Sequence, residues 1–263
     1  MNDFGVDLRG VIDLLSRHIY SGPEVYLREL LQNARDALVA RAGDGPQESS
    51  WGVTIRPATG DSPFVIRDAG VGLAADEVAD LLSTVGRSSK RDVLDLRNAD
   101  FLGHFGIGLL SCFMVADEIE IVSHKAGRLA CLWRGLADGT YTVTELTEQQ
   151  SDAIEIGTSV TLRPSHEGAR LLDEDAVRRL ALHYAQYLPI PVTLQTGTGD
   201  ELLTGAAPFL SSDHQELVRF GEDLIGHRPF DVIQLKVAAT ATNGAAYVLG
   251  SPASGRPQKE DAA

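Results

Sequence analysis

The sequence predicts an α+β fold in which several helices cover one largely antiparallel sheet, and three observations carry that expectation. Apolar residues recur at helical spacing in the first forty residues and again before residue 190. Between them, short strand-like segments follow one another at the spacing of an antiparallel meander. At 263 residues, 43% hydrophobic and 23% charged, the chain has an ordinary globular composition and room for one large domain, or one domain plus part of another. There is no internal repeat.

The elements follow in order. Residues 8–19 (LRGVIDLLSRHI) place Leu8, Val11, Ile12, Leu15 and Ile19 on one helical face. Ser21-Gly22-Pro23 breaks that helix, and a proline fits the first turn of the next one. The second helix, 23–41, buries Val25, Leu27, Leu30, Leu31, Ala34 and Leu38, and Gly43-Asp44-Gly45-Pro46 ends it. Strands are expected at 51–57 and 63–67, a glycine turn at 68–72 and a short helix around 74–82. Residues 83–108 are rich in Gly, Ser, Arg and Asp without sustained periodicity, the pattern of a functional loop or lid. A buried helix at 109–116 (LLSCFMVA) precedes strands at 118–123, 128–134, 140–146 and 157–163. A helix at 173–187 leads into a strand at 190–195. The composition shift at 196–206 (TGTGDELLTGA) marks a boundary, giving one domain over 1–195 and a linker with the beginning of another over 196–263. Strands near 231–237 and 245–249 precede a tail, SGRPQKEDAA, expected to be disordered.

Charge and cysteine usage narrow the function classes. With 37 acids against 23 bases the formal net charge is −14, a field that repels a polyanion, so nucleic acid is not expected as a partner. Cys112 and Cys131 lie inside apolar runs as reduced core thiols, and their number and spacing make no zinc site. The opening MNDFGVDLRG lacks the apolar core of a signal peptide, and no run approaches the ~18 apolar residues that span a membrane. A cytoplasmic protein without a membrane partner is expected.

Four constellations carry chemistry. Glu29, Asn33 and Asp36 fall on one stripe of the second helix, where a carboxylate and an amide one turn apart suit a metal–phosphate site. Asn33 would offer its carbonyl oxygen to Mg²⁺, and Glu29 would hold and deprotonate a water. The same spacing also describes a solvated amphipathic helix. Asp68-Ala69-Gly70-Val71-Gly72 follows a strand, so its carboxylate could accept from an exocyclic base amine, or simply cap a tight turn. Gly103-His104-Phe105-Gly106-Ile107-Gly108 opens a helix and suits an anion cradle or a hinge. It matches neither the Walker loop nor the dinucleotide fingerprint. Gly157-Thr158 begins a strand, where the hydroxyl could reach a base through water or serve β-propensity alone.

The order of these pieces resembles the GHKL ATPase superfamily of DNA gyrase B subunits, sensor histidine kinases, MutL-type repair proteins and heat shock protein 90. Within it, the sequence from about residue 4 to 195 is most similar to the heat shock protein 90 family of molecular chaperones. YSGPEVYLRELLQNARDAL resembles that family's first ATP-site helix, and LSTVGRSSK its lid entry. FLGHFGIGLLSCFMVADEIEIVSHK resembles the lid exit, HYAQYLPIPVTL the end of the N-terminal domain, and HRPFDVIQLKV the start of the middle domain.

The resemblance implies a two-layer Bergerat ATP-binding fold, a mixed and mostly antiparallel sheet covered by helices, binding ATP or ADP with Mg²⁺. It implies Glu29 as general base, Asn33 as the Mg²⁺ ligand with Asp36 beside it, and Asp68 as the group that recognises adenine. Gly72, Leu73 and Thr158 would line the base pocket, Arg87 would sit near the phosphates, and Gly103, His104, Phe105, Gly106, Ile107 and Gly108 would contact them at the lid hinge. Leu73 stands for the family's usual methionine, Leu81 for an Asn and Arg87 for a Lys, which puts affinity in question more than site identity.

The 68 residues after residue 195 are too few for the family's full middle domain, with its catalytic Arg, or its dimerisation domain. Slow hydrolysis, clients reached through a partial middle domain, and a monomer or weak dimer are therefore expected. Three rival functions remain: a histidine kinase, for which His18 lies in an unsuitable setting, a DNA-acting MutL-like or gyrase-like module, and a nucleotide-switched interaction module without turnover.

Overall fold

The computed structural model describes residues 2–3, 22–42, 51–60, 62–78, 107–237 and 242–250. The expected helix at 8–19, the lid over 83–106 and the C-terminal tail lie outside the described residues. The chain divides into two compact units, Met1–Thr204 and Gly205–Ala263.

The first unit lays its helices on one face of a nine-stranded sheet among the described residues, in the order β1-β6-β5-β4-β7-β3-β2-β8-β9. The strands are β1 Asn2–Asp3, β2 Val53–Arg56, β3 Phe64–Asp68, β4 Ala116–His124, β5 Cys131–Leu136, β6 Thr140–Glu145, β7 Gly157–Pro164, β8 Val192–Thr196 and β9 Gly199–Leu202. Neighbours run antiparallel except β2 and β8, which pair in parallel. A mixed, mostly antiparallel sheet under helices is the α+β architecture the sequence predicts.

Helix α1 (Val25–Arg41) begins after Gly22-Pro23, as its breaker residues require, and buries Val25, Tyr26, Leu27, Leu30, Leu31, Ala34 and Leu38. The same face buries Glu29. Tyr26 stands edge-on to Phe64 at 5.8 Å and donates its hydroxyl to the Leu171 carbonyl at 2.9 Å, so a fully buried phenol keeps a partner. A single helical turn spans 75–78. Helix α2 (Ile107–Leu110) tightens into a 3₁₀ turn at Ser111–Met114. Helix α3 is Glu148–Asp152, and α4 (Glu174–Ala185) is capped by Asp173, which accepts from the Ala176 amide at 2.8 Å.

Alternation along the strands sorts side chains onto two faces. On the covered face, register aligns Phe64, Leu162, Ile119 and Gly135 in one row across β3, β7, β4 and β5, and Ile66, Val160, Ile121 and Trp133 in the next. All except Gly135, over which the Trp133 ring lies, are large apolar residues buried in the core. The opposite face is half-buried or exposed and carries Glu118 between Arg134 and Arg163 at 2.7 and 3.1 Å. One wet face and one covered face is the usual bargain for an antiparallel sheet.

Several elements differ from expectation. The buried helix starts two residues early and ends in 3₁₀ geometry, with the Ser111 hydroxyl donating back to the Gly108 carbonyl at 2.6 Å. The strand expected at 128–134 begins only at Cys131, because Lys125–Arg128 forms a turn with Gly127 at φ 73°. Helix α3 is unforeseen, although Thr147 and Gln150 form a capping box whose signature is plain in the chain. Strand β9 carries the first sheet past residue 195 to Leu202.

The second unit holds helix α5 (His214–Ile225) and a hairpin of β10 (Asp231–Val237) with β11 (Thr242–Val248). Asp213 caps α5 by accepting from the Gln215 amide, and Gly226 ends it in the left-handed region at φ 81°. Gly221 of α5 lies against the Tyr247 ring, with no room for a β-carbon.

Candidate functional site

The third row on the covered face breaks the apolar pattern. One step along the same strands, register aligns Asp68 of β3, Thr158 of β7, Ser123 of β4 and Cys131 of β5. Asp68 and Ser123 are buried, at 7% and 0% exposure, as is Cys131. A polar row inside a sheet core is unfavourable unless each group finds a partner.

Much of that partnership comes from the loop after β3. The Gly70 amide donates to Asp68 Oδ1 at 2.8 Å, and the Thr158 backbone amide also donates to the carboxylate. The Leu73 amide donates to Ser123 Oγ at 2.8 Å, and the Cys131 thiol lies 3.6 Å from the Leu73 carbonyl. Ser123 Oγ is 2.8 Å from Thr158 Oγ1 and 3.2 Å from the Gly157 carbonyl. The row is therefore a set of hooks that holds the glycine loop against the end of the sheet.

Two glycines are required by this close approach. Gly72 has φ 67°, and a β-carbon there would fall 2.0 Å from the His124 carbonyl oxygen. Gly157 has φ 133°, and a β-carbon would fall 2.1 Å from the Asp68 carbonyl oxygen. From the other side, the Val71 amide donates to the Ala37 carbonyl of α1 at 3.1 Å. Arg41, at the end of α1, donates to the carbonyls of Ala69 at 2.8 Å and Ile156 at 3.4 Å.

Burial pushes the Asp68 carboxyl up to about 6, against the lowering effect of the Gly70 and Thr158 amides. The Gly70 and Thr158 amides and the residue's own amide still leave part of the carboxylate's acceptor capacity unused, since an ionised carboxyl offers about four lone-pair sites.

The helix stripe divides by depth. Glu29 is buried at 7% exposure, while Asn33 and Asp36 are exposed. Arg28 donates to Glu29 Oε1 at 2.9 Å, and Asp36 pairs with Arg35 at 3.5 Å. Gly108 packs directly on Glu29, since a β-carbon there would lie 2.6 Å from Oε2. The glycine motif thus reaches the carboxylate on α1 at its last residue. Burial, and then the Glu29 charge, holds the Cys112 thiol well above its usual range, so Cys112 stays a neutral core group.

Of the site residues expected from the sequence, the fold sets Asp68 beside Thr158 and Glu29 beside Gly108. Ile107 opens α2. Arg87, Leu81, Gly103, His104, Phe105 and Gly106 lie outside the described residues. Ser123 and Arg41 escaped notice. For Ser123 a signal existed, because Ile119, Ile121 and Ser123 share one strand parity, and a serine on an inward parity asks for a reason. For Arg41 no local signal exists, because both of its acceptors come from other elements.

Among the described residues no group of three or more His, Cys, Asp or Glu could hold a metal ion, and no helix is long and apolar enough to cross a membrane.

Comparison with known proteins adds an independent line. The family model described as histidine kinase-, DNA gyrase B-, and HSP90-like ATPase matches residues 20–162, which contain every site residue named above. The chain is 31% identical over 221 residues to the chaperone protein HtpG of Myxococcus xanthus, covering 76% of this chain and 33% of that protein. It is 32% identical over 213 residues to the chaperone protein HtpG of Mycobacterium tuberculosis, covering 73% and 32%. The HtpG of Geobacter sulfurreducens is 27% identical over 238 residues, covering 81% and 36%. The chain spans about a third of the length of these curated relatives.

Proposed function

Because the chain belongs to the histidine kinase-, DNA gyrase B-, and HSP90-like ATPase family, we propose that its first unit binds ATP with the adenine on Asp68 and the triphosphate toward α1, and hydrolyses it slowly. The observation that carries this reading is Asp68 itself. It is a buried carboxylate on a covered sheet face, with acceptor capacity beyond its backbone donors. An exocyclic amine is a donor that matches it, and adenine carries one where guanine carries a carbonyl.

In this reading Thr158, Gly72 and Leu73 line the base end, and Glu29 holds the attacking water. Asn33 and Asp36 lie near the phosphates, as would Arg87 and the stretch from Gly103 through His104, Phe105, Gly106 and Ile107 to Gly108. The donor set fits Mg²⁺ in the manner of many phosphate enzymes. There the ion takes few protein oxygens and several from substrate and water, so the lack of a carboxylate cluster among the described residues is no obstacle. Asn33 would hold the ion, and Mg²⁺ would supply charge neutralisation on the phosphates.

The relatives named chaperone protein HtpG extend the proposal. We take the chain as the nucleotide-binding part of a chaperone assisting protein folding, with clients engaged through the region that begins at the second unit.

Calorimetry with ATP, ADP and GTP tests the binding claim, with Mg²⁺ added and withheld. The expected result is adenine-selective binding that Asp68→Asn abolishes without unfolding the protein. Turnover is tested by Glu29→Ala, which should remove hydrolysis and retain nucleotide. The Arg28 guanidinium on Glu29 favours a second reading, a nucleotide-occupied switch with little turnover, because a carboxylate oxygen already accepting from a guanidinium is not free to hold the attacking water. Equal rates for the native protein and Glu29→Ala would select it.

A further inference from the structure

Ser123 has no place in the reading above, yet it has more partners than any other group in the polar row. Its side chain is fully buried, on the inward parity where β4 otherwise presents Ile119 and Ile121. A hydroxyl has one proton to give and two lone pairs to receive with. The Leu73 amide takes one lone pair at 2.8 Å. The proton is left for the oxygens of β7, at 2.8 Å to Thr158 Oγ1 and 3.2 Å to the Gly157 carbonyl. If it goes to the carbonyl, the short contact makes Thr158 the donor, and Thr158 then faces the site as an acceptor. If it goes to Thr158, the threonine keeps its own proton for a ligand or a water. Either way, the free hydrogen-bonding capacity of Thr158 is set by Ser123.

The same atom fixes the loop. Leu73 is the residue after Gly72, whose backbone can sit where it does only because it lacks a β-carbon. Releasing the Leu73 amide frees the C-terminal end of a loop whose N-terminal end stays tied to Asp68 through Gly70. Ser123 therefore joins the two walls that flank Asp68, the glycine loop and the start of β7.

We infer that Ser123 is a positioning residue for the base-binding end of the site, holding the Leu73 peptide and the Thr158 hydroxyl in the arrangement that makes Asp68 selective for the adenine edge. The inference rests on the proposed nucleotide site. It adds that affinity for the base, separately from the phosphates, depends on a serine that reaches the base only through Thr158 and Leu73.

The test measures binding of adenosine, ADP and ATP by calorimetry to the native chain and to Ser123→Ala, Ser123→Thr, Thr158→Ala, the Ser123→Ala/Thr158→Ala double variant and Asp68→Asn. Thermal melts check folding. Ser123→Ala should weaken all three ligands by the same factor, about tenfold, as expected for a buried hydrogen-bonding group left without its partner. Ser123→Thr, which keeps the hydroxyl, should restore binding to within about twofold. Relative to the native chain, the double variant should lose much less than the product of the two single losses, the mark of residues acting as one unit. Should Ser123→Ala not fold, Ser123→Cys carries the same expectation, because a thiol keeps the volume and is a poor hydrogen-bonding group. A loss confined to ATP would overturn the inference, and so would a loss that Thr does not rescue. Native-like binding by Ser123→Ala beside a dead Asp68→Asn would also overturn it and leave the nucleotide site standing. Native-like binding by Asp68→Asn would instead remove the site on which it rests.

Discussion

The two ends of one sheet face are built on opposite terms. In the middle, the rows Phe64–Leu162–Ile119 and Ile66–Val160–Ile121–Trp133 bury apolar surface and ask nothing of their neighbours except close packing. One row further on, Asp68, Thr158, Ser123 and Cys131 occupy the same face of the same strands and must each be answered by a donor or acceptor. The first end holds the fold together. The second is unfavourable in isolation and is stabilised by binding a glycine loop, with carboxylate capacity left over. The contrast teaches that the site is not an addition to the fold but the end of its core, where burial that elsewhere stabilises is used to raise a carboxyl and fix a backbone.

The predictions probe that contrast from its strongest side to its weakest. Phe64→Ala removes a fully buried ring from the apolar rows and should lower unfolding stability by about 3–5 kcal/mol in denaturant titration. A loss below about 1 kcal/mol would mean that the rows do not carry the fold.

Asp68 should make its own mark on the pH dependence of stability. Its carboxyl is raised in the folded chain to about 6, from an ordinary value near 4 when unfolded. Between those values the folded state holds more protons than the unfolded one. The stabilising contribution of Asp68 is therefore full below about pH 4 and is lost as pH rises through about 6. The size of the change is on the order of 3 kcal/mol, read as the difference between native and Asp68→Asn stability curves over that window. Nucleotide affinity should run the other way, falling as Asp68 protonates below about pH 6, because a neutral carboxyl accepts less well. Parallel curves for the two proteins would show that Asp68 is not strained by burial.

The smallest effect belongs to the wet side of the sheet. Glu118→Gln breaks the pairs with Arg134 and Arg163, whose side chains are about half exposed, and should change stability by less than about 1 kcal/mol. A larger loss would erase the distinction between the two faces.

What the chain disclosed in advance follows the same division. Helix α1 was legible because its apolar residues recur at 3.6 spacing between Pro23 and Gly43, and β7 because Val160 and Leu162 alternate with polar residues. The Asp68 and Gly72 motif stood out as a carboxylate and two glycines after a strand, but alone it described a capped tight turn as well as a base site. The polar row was not. Residues 68, 158, 123 and 131 become neighbours only through the strand order β3-β7-β4-β5, which no local pattern encodes. Helix α3 was missed for a different reason. Five residues are too short for periodicity to register, and only its capping box announces it.

A crystal structure of the chain with ADP and Mg²⁺ bears most directly on the central claim. The account expects the adenine amine within hydrogen-bonding distance of the Asp68 carboxylate, with Gly70, Thr158 and Leu73 still held by the row. A base seated elsewhere, with Asp68 engaged only by the amides it already has, would contradict it.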